Sequence, residues 1–127
     1  MTTQIYNSPS FAGNVYFSRE TFVQQTMNEK DIQVALLRDF LEFFPTLLGN
    51  TKTAVDQLDR KSLKHFMHQL KASVALFNGV PIYTLINTLE NAIENLGDRE
   101  ILMRSHIILQ KSEALLSEVK KFQNENK

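Results

Sequence analysis

The stretch Lys61–Gly79, KSLKHFMHQLKASVALFNG, decides the fold. Read as a helix, it brings Leu63, Phe66, Met67, Leu70, Val74 and Phe77 into one stripe, the spacing of a core-facing surface. At about 100° per residue, His68 lies roughly 140° round from Leu63 and points toward water. Its helical neighbours are Lys61, Lys64, His65 and Lys71, together with the small residues Ala72 and Ala75. Such a place can carry an anion and let another surface come close. The ordinary fate of an exposed histidine or lysine is solvation, and H-x-x-K by itself is common. The conjunction of exposed His, Lys one turn on, and Ala at i+4 and i+7 is what singles the site out.

Upstream, Ile32, Leu36, Leu37, Phe40, Leu41, Phe43 and Phe44 fall at helical spacing, and the Phe-rich run reads as core. Pro45 removes a backbone donor and crowds the carbonyl of Leu41, which predicts a kink or short break. The period resumes at Leu47, Leu48, Val55 and Leu58, so the two halves form one bent helix or two nearly collinear ones. Asn28 is the expected N-cap, with Asp31 in the capping-box position. Before it, Ser18 caps a short helix running through Phe22, Val23 and Met27, with Glu20 in its first turn. Residues 1–17 show no period and read as an irregular arm, packed down through Phe11, Val15, Tyr16 and Phe17.

Downstream, Asp59 caps the central helix, and Asn78-Gly79 stops it, both residues tolerating a left-handed terminus. Pro81 opens the next helix, whose apolar face is Ile82, Leu85, Ile86, Leu89, Ile93 and Leu96. Gly97 ends it and Asp98 caps the last. There Ile101, Ile108, Leu115 and Phe122 repeat every seven residues beside Leu102, Leu109 and Leu116. Nothing alternates with period two. The expectation is an all-α chain: an up-and-down antiparallel four-helix bundle over 18–123, with a short extra N-terminal helix, and a frayed end at 124–127.

Composition narrows the function. The 127 residues suffice for one domain with one core. Fourteen basic and fourteen acidic residues cancel, which argues against nucleic acid as a bulk electrostatic partner. No cysteine is present and no apolar run approaches a membrane span, so the expectation is a cytoplasmic chain with no membrane partner. Phosphate loops, zinc-protease motifs and nucleophile elbows are absent, and Glu-x-x-His occurs nowhere. His65 and His68 at i, i+3 have no acid near them on their own helix, so no metal site is expected.

His68-Gln69-Leu70-Lys71-Ala72-Ser73, with Asn78-Gly79 and Leu89-Glu90 further on, resembles the signature of histidine phosphotransfer (HPt) domains. The run Leu36–Leu48 is similar to the helix that precedes the motif in that family, and the likeness extends from about Ser18 to Phe122. Two positions depart: Ala72 stands where Gly is usual, and Gly79 falls one place late. The resemblance implies that His68 relays a phosphoryl group between receiver-domain aspartates, of a hybrid histidine kinase or a response regulator. Lys71 would offset the phosphate charge, with weaker support from Lys64 and Lys61, and Ala72 and Ala75 would admit the partner. Val74, at the edge of the stripe, or residues of the first short helix are candidates for the docking patch. No cofactor of its own is implied; magnesium would sit on the receiver. The chain would be a phosphoryl carrier, not an ATP-dependent kinase. A monomer is expected from the resemblance and from the lack of a spare apolar helix face. The dimerisation helices of histidine kinases fit less well, because Gln69 and Ser73 stand where an acid and a proline are usual. The alternative of a different class is an HPt-like docking module that binds a receiver, or another helical partner, without being phosphorylated.

Overall fold

Burial follows the stripes. Leu63, Met67, Leu70, Val74 and Phe77 are all fully buried, and Phe66 lies half-buried beside them. The computed structural model describes residues 15–77 and 79–126; the expectations placed on 1–14, Asn78 and Lys127 lie outside the described residues. It is all-helical, with α1 at Arg19–Gln25, α2 at Lys30–Asp56, α3 at Arg60–Leu76, α4 at Val80–Ala92 and α5 at Asp98–Glu125. The helix α2 packs against α3 and α5, and α4 packs against the same two. Among the described residues no helix is long and apolar enough to cross a membrane.

Local chemistry sets the helix ends, and several differ from expectation. Ser18 caps α1, accepting from the Thr21 N–H at 3.3 Å, and Asp59 caps α3 through the Ser62 N–H at 3.2 Å. Helix α1 ends before Met27, which is 77 % exposed rather than on the apolar face. Met27 and Asn28 both adopt left-handed φ, of 52° and 56°, which turns the chain sharply. Asn28 is therefore not the N-cap; Glu29 takes that place without a side-chain bond. The join is secured instead by a buried pair, Gln33 Nε2 donating to Thr26 Oγ1 at 3.0 Å. Pro45 does not break α2, which runs on to Asp56. Phe40, Phe44, Leu48 and Val55 on both sides of it enter the same core, and that burial outweighs one lost backbone bond. Phe43 falls off the stripe and is 63 % exposed, so the Phe run is core only in part.

Gly79 lies at φ −79°, not in the left-handed region. Its lack of a side chain serves packing: a Cβ there would stand 3.3 Å from Leu115 Cδ2 and 3.4 Å from Val74 Cβ. Helix α4 stops at Ala92, earlier than Gly97, and Leu85 is 38 % exposed. Gly97, not Asp98, is the N-cap of α5. Asp98 is drawn away by Arg60, whose guanidinium donates to Asp98 at 2.7 Å and to the carbonyls of Ile93 and Leu96. At the far end α5 continues through residues 124 and 125, where Glu125 pairs with Arg19 at 2.6 Å.

The entry to α1 is held by a feature that periodicity could not show. Glu118, buried on α5, accepts from the backbone N–H groups of Val15, Tyr16 and Phe17 at 2.8–2.9 Å. This seats Phe17 in the core while Val15 stays exposed, contrary to the expectation that both pack down. Hydrogen bonds to a charged acceptor are the stronger kind. Glu118→Ala should therefore cost about 2–3 kcal/mol, read as a lower urea midpoint. An unchanged midpoint would mean that the clamp contributes nothing to folding.

Candidate functional site

The α3 segment RKSLKHFMHQLKASVAL carries cations and histidines but no acid, so partners for its polar face must come from another helix. Asn87 and Glu90 on one face of α4, and Glu94 in the turn just after it, supply them. Lys64 Nζ meets Glu94 Oε1 at 3.2 Å, His68 Nδ1 meets Glu90 Oε2 at 2.9 Å, and Lys71 Nζ donates to Asn87 Oδ1 at 3.1 Å. Going up α3 from His68 to Lys71, the partners go back along α4 from Glu90 to Asn87, so these two helices run antiparallel.

Glu90 is the centre of this seam. Its side chain is only 12 % exposed, and its other oxygen lies 2.7 Å from Lys71 Nζ. Burial pushes the Glu90 carboxyl up, but hydrogen bonds and charge from Lys71 and His68 together outweigh it and hold the group below the usual carboxylate range. An ionised carboxylate can only accept, so Nδ1 of His68 carries the proton and donates it. In the neutral ring the lone pair then resides on Nε2. The imidazole is 69 % exposed. The result is a surface histidine with one nitrogen anchored and the other nucleophilic.

The same Glu90 shift has a stability consequence. A carboxyl whose folded pKa is depressed stabilises the fold above its unfolded value and loses that contribution as pH falls through the folded one. The melting temperature should thus fall as pH drops below about 4.5, the unperturbed value. Glu90→Gln should flatten that acid limb; an identical limb in the variant would assign it to other carboxylates.

The sequence-chosen residues fall in separate settings. His68, Lys64, Lys61 and His65 line a groove of about 620 Å³ with Arg60, Glu90 and Glu94. Lys71 turns away into α4, 17 % exposed, with its Nζ 6.0 Å from the centre of the Tyr83 ring. Ala72 lines a different groove, between α2 and α3, with Phe43, Leu47, Gln69, Ser73 and Leu76. Ala75 is exposed and belongs to neither groove. Val74 is fully buried and cannot form part of a docking patch. Phe43, Leu76 and Met103 are exposed apolar side chains on α2, α3 and α5. Among the described residues no group of acids and histidines could hold a metal ion.

What sequence reading missed is the role of α4. The Leu89-Glu90 pair was noted only as part of the resemblance, and Asn87 and Glu94 not at all. Their spacing of i, i+3 and i+7, opposite a helix with no acid, was the available signal. Comparison with family models, with curated proteins and with solved structures returned no match to this chain.

Proposed function

We propose that this protein is a histidine phosphotransfer protein, carrying a phosphoryl group between receiver-domain aspartates on His68. The observation that supports it is the Glu90 anchor on Nδ1, which leaves Nε2 as the free nucleophile on an exposed face. The reading includes the finer fold: α2 to α5 as an up-and-down antiparallel four-helix bundle, with α1 closing one end.

In the transfer step the Nε2 lone pair attacks the phosphorus of an aspartyl phosphate. The N–P bond forms, the P–O bond breaks, and the aspartate carboxylate leaves with the electron pair. No proton has to leave Nε2. The ring becomes cationic while keeping the Nδ1 proton, and the Glu90 carboxylate facing that proton offsets the charge. Lys71 keeps Glu90 ionised and in place. Any magnesium belongs to the receiver, where it would neutralise phosphate charge. The chain is a carrier, and ATP has no part in the step.

The test mixes the protein with magnesium and a panel of radiolabelled phospho-receiver domains, scoring label that is acid-labile and alkali-stable. Such label on this chain is the expected result. Receiver binding without transfer would replace the relay by a docking module that is never phosphorylated.

A further inference from the structure

On the relay reading, the phosphate needs a cation, and sequence spacing gives that part to Lys71, one turn past His68. The contacts distribute the cations differently. Lys71 is half-buried, 2.7 Å from a carboxylate oxygen that is itself largely buried, and it also donates to Asn87. Moving it to a phosphate would strip Glu90 of its counter-ion while Glu90 is still needed at Nδ1. An ion pair withdrawn from water and then broken on one side is costly. Lys64 is held much less firmly. Its pair with Glu94 is 3.2 Å long, with side chains 45 % and 71 % exposed, the kind of surface contact worth little.

Location agrees with strength. The groove that His68 helps to line also has Lys64, Lys61 and His65 on its wall, with Glu90 and Glu94 as its acids, and Lys71 is not among its lining residues. Arg60, at the same groove, is committed to the carbonyls of Ile93 and Leu96 and to Asp98. Lys64 lies four residues before His68, on the same helical face.

We propose that Lys64, released from Glu94, is the cation that binds the phosphoryl group on His68, and that Lys71 is a positioning residue for Glu90. The inference rests on the relay reading for its biological meaning, but its test does not need a partner. Phosphoramidate supplies the group directly: its N–P bond breaks, ammonia leaves, and a new N–P bond forms at the imidazole.

The experiment records lysine side-chain NMR spectra of the full chain before and after phosphoramidate treatment, with His68→Gln treated alongside to remove effects of His65 and His106. The Lys64 signal should move in the native protein and not in His68→Gln, while the Lys71 signal stays close to its starting position. A Lys71 shift as large as that of Lys64, or no shift at either, overturns the assignment. In the receiver assay, Lys64→Gln should slow transfer roughly five-fold at low salt, with the deficit shrinking as salt rises. A wild-type protein that no receiver labels, yet whose Lys64 responds to chemical phosphorylation, would sink the relay reading and leave this assignment standing.

Discussion

On the relay reading, a His68→Gln protein should take up no acid-labile phosphoryl label from any phospho-receiver, while its melting temperature should stay near that of the wild type. The effect on transfer should be complete because, in the proposed step, the imidazole alone forms the new bond. The effect on folding is small because the ring is 69 % exposed and touches α4 through a single hydrogen bond. Surface substitutions of that kind usually stay within about 0.5 kcal/mol. Glutamine also keeps a donor that can reach Glu90, so the carboxylate is not orphaned. Circular dichroism melts run beside the labelling assay separate the two effects. Undiminished label on the variant would move the acceptor to another histidine, and His65 in the same groove would be examined next.

Phe77→Ala should be the most damaging single truncation, at about 4 kcal/mol, or roughly 10–20 °C in melting temperature. The ring is fully buried and stacks on Phe22 at 5.2 Å. It also meets Phe40 at 4.3 Å and Phe17 at 6.0 Å. It thus joins α1 and α2 to the C-terminal end of α3 at one point, and its loss leaves a cavity whose walls belong to separate elements. Phe43→Ala is the internal control, since its side chain faces water and its loss should be within about 0.5 kcal/mol. Equal losses for the two would mean that the aromatic cluster is not the keystone of this end of the molecule.

The contrast between these two phenylalanines marks what could be read without coordinates. Stripes at helical spacing placed Leu63, Met67, Leu70, Ile101, Ile108 and Leu115 in the core, because burial of an amphipathic helix has only one solution. Phe43 misled because it adjoins Phe44 in sequence, whereas one residue is a turn of about 100° on a helix. Caps were legible where a side chain closes its own turn, as at Ser18 and Asp59. They failed at Asn28 and Asp98, where the chain reverses or a distant arginine competes for the carboxylate.

The site divides in the same way. His68 was found because its exposure follows from its angle to the stripe. Its setting was not, because the groups that tune it sit on α4, about twenty residues away. Spacing along one helix placed Lys71 beside His68. Only the neighbouring helix shows that Lys71 is already engaged, and that Lys64 is the looser cation.

The Glu118 clamp carries one more consequence. It grips amide hydrogens, and every residue except proline presents the same amide hydrogen whatever its side chain. Val15, whose side chain is exposed, can therefore drift through many identities without loosening the strap, whereas proline there would withdraw a donor that no side chain could replace. Mutational tolerance should be broad at Val15 with a single sharp exclusion, and narrower at Tyr16, whose hydroxyl accepts from Lys111 at 3.2 Å. Phe17, whose ring enters the core, should behave instead like any other interior residue.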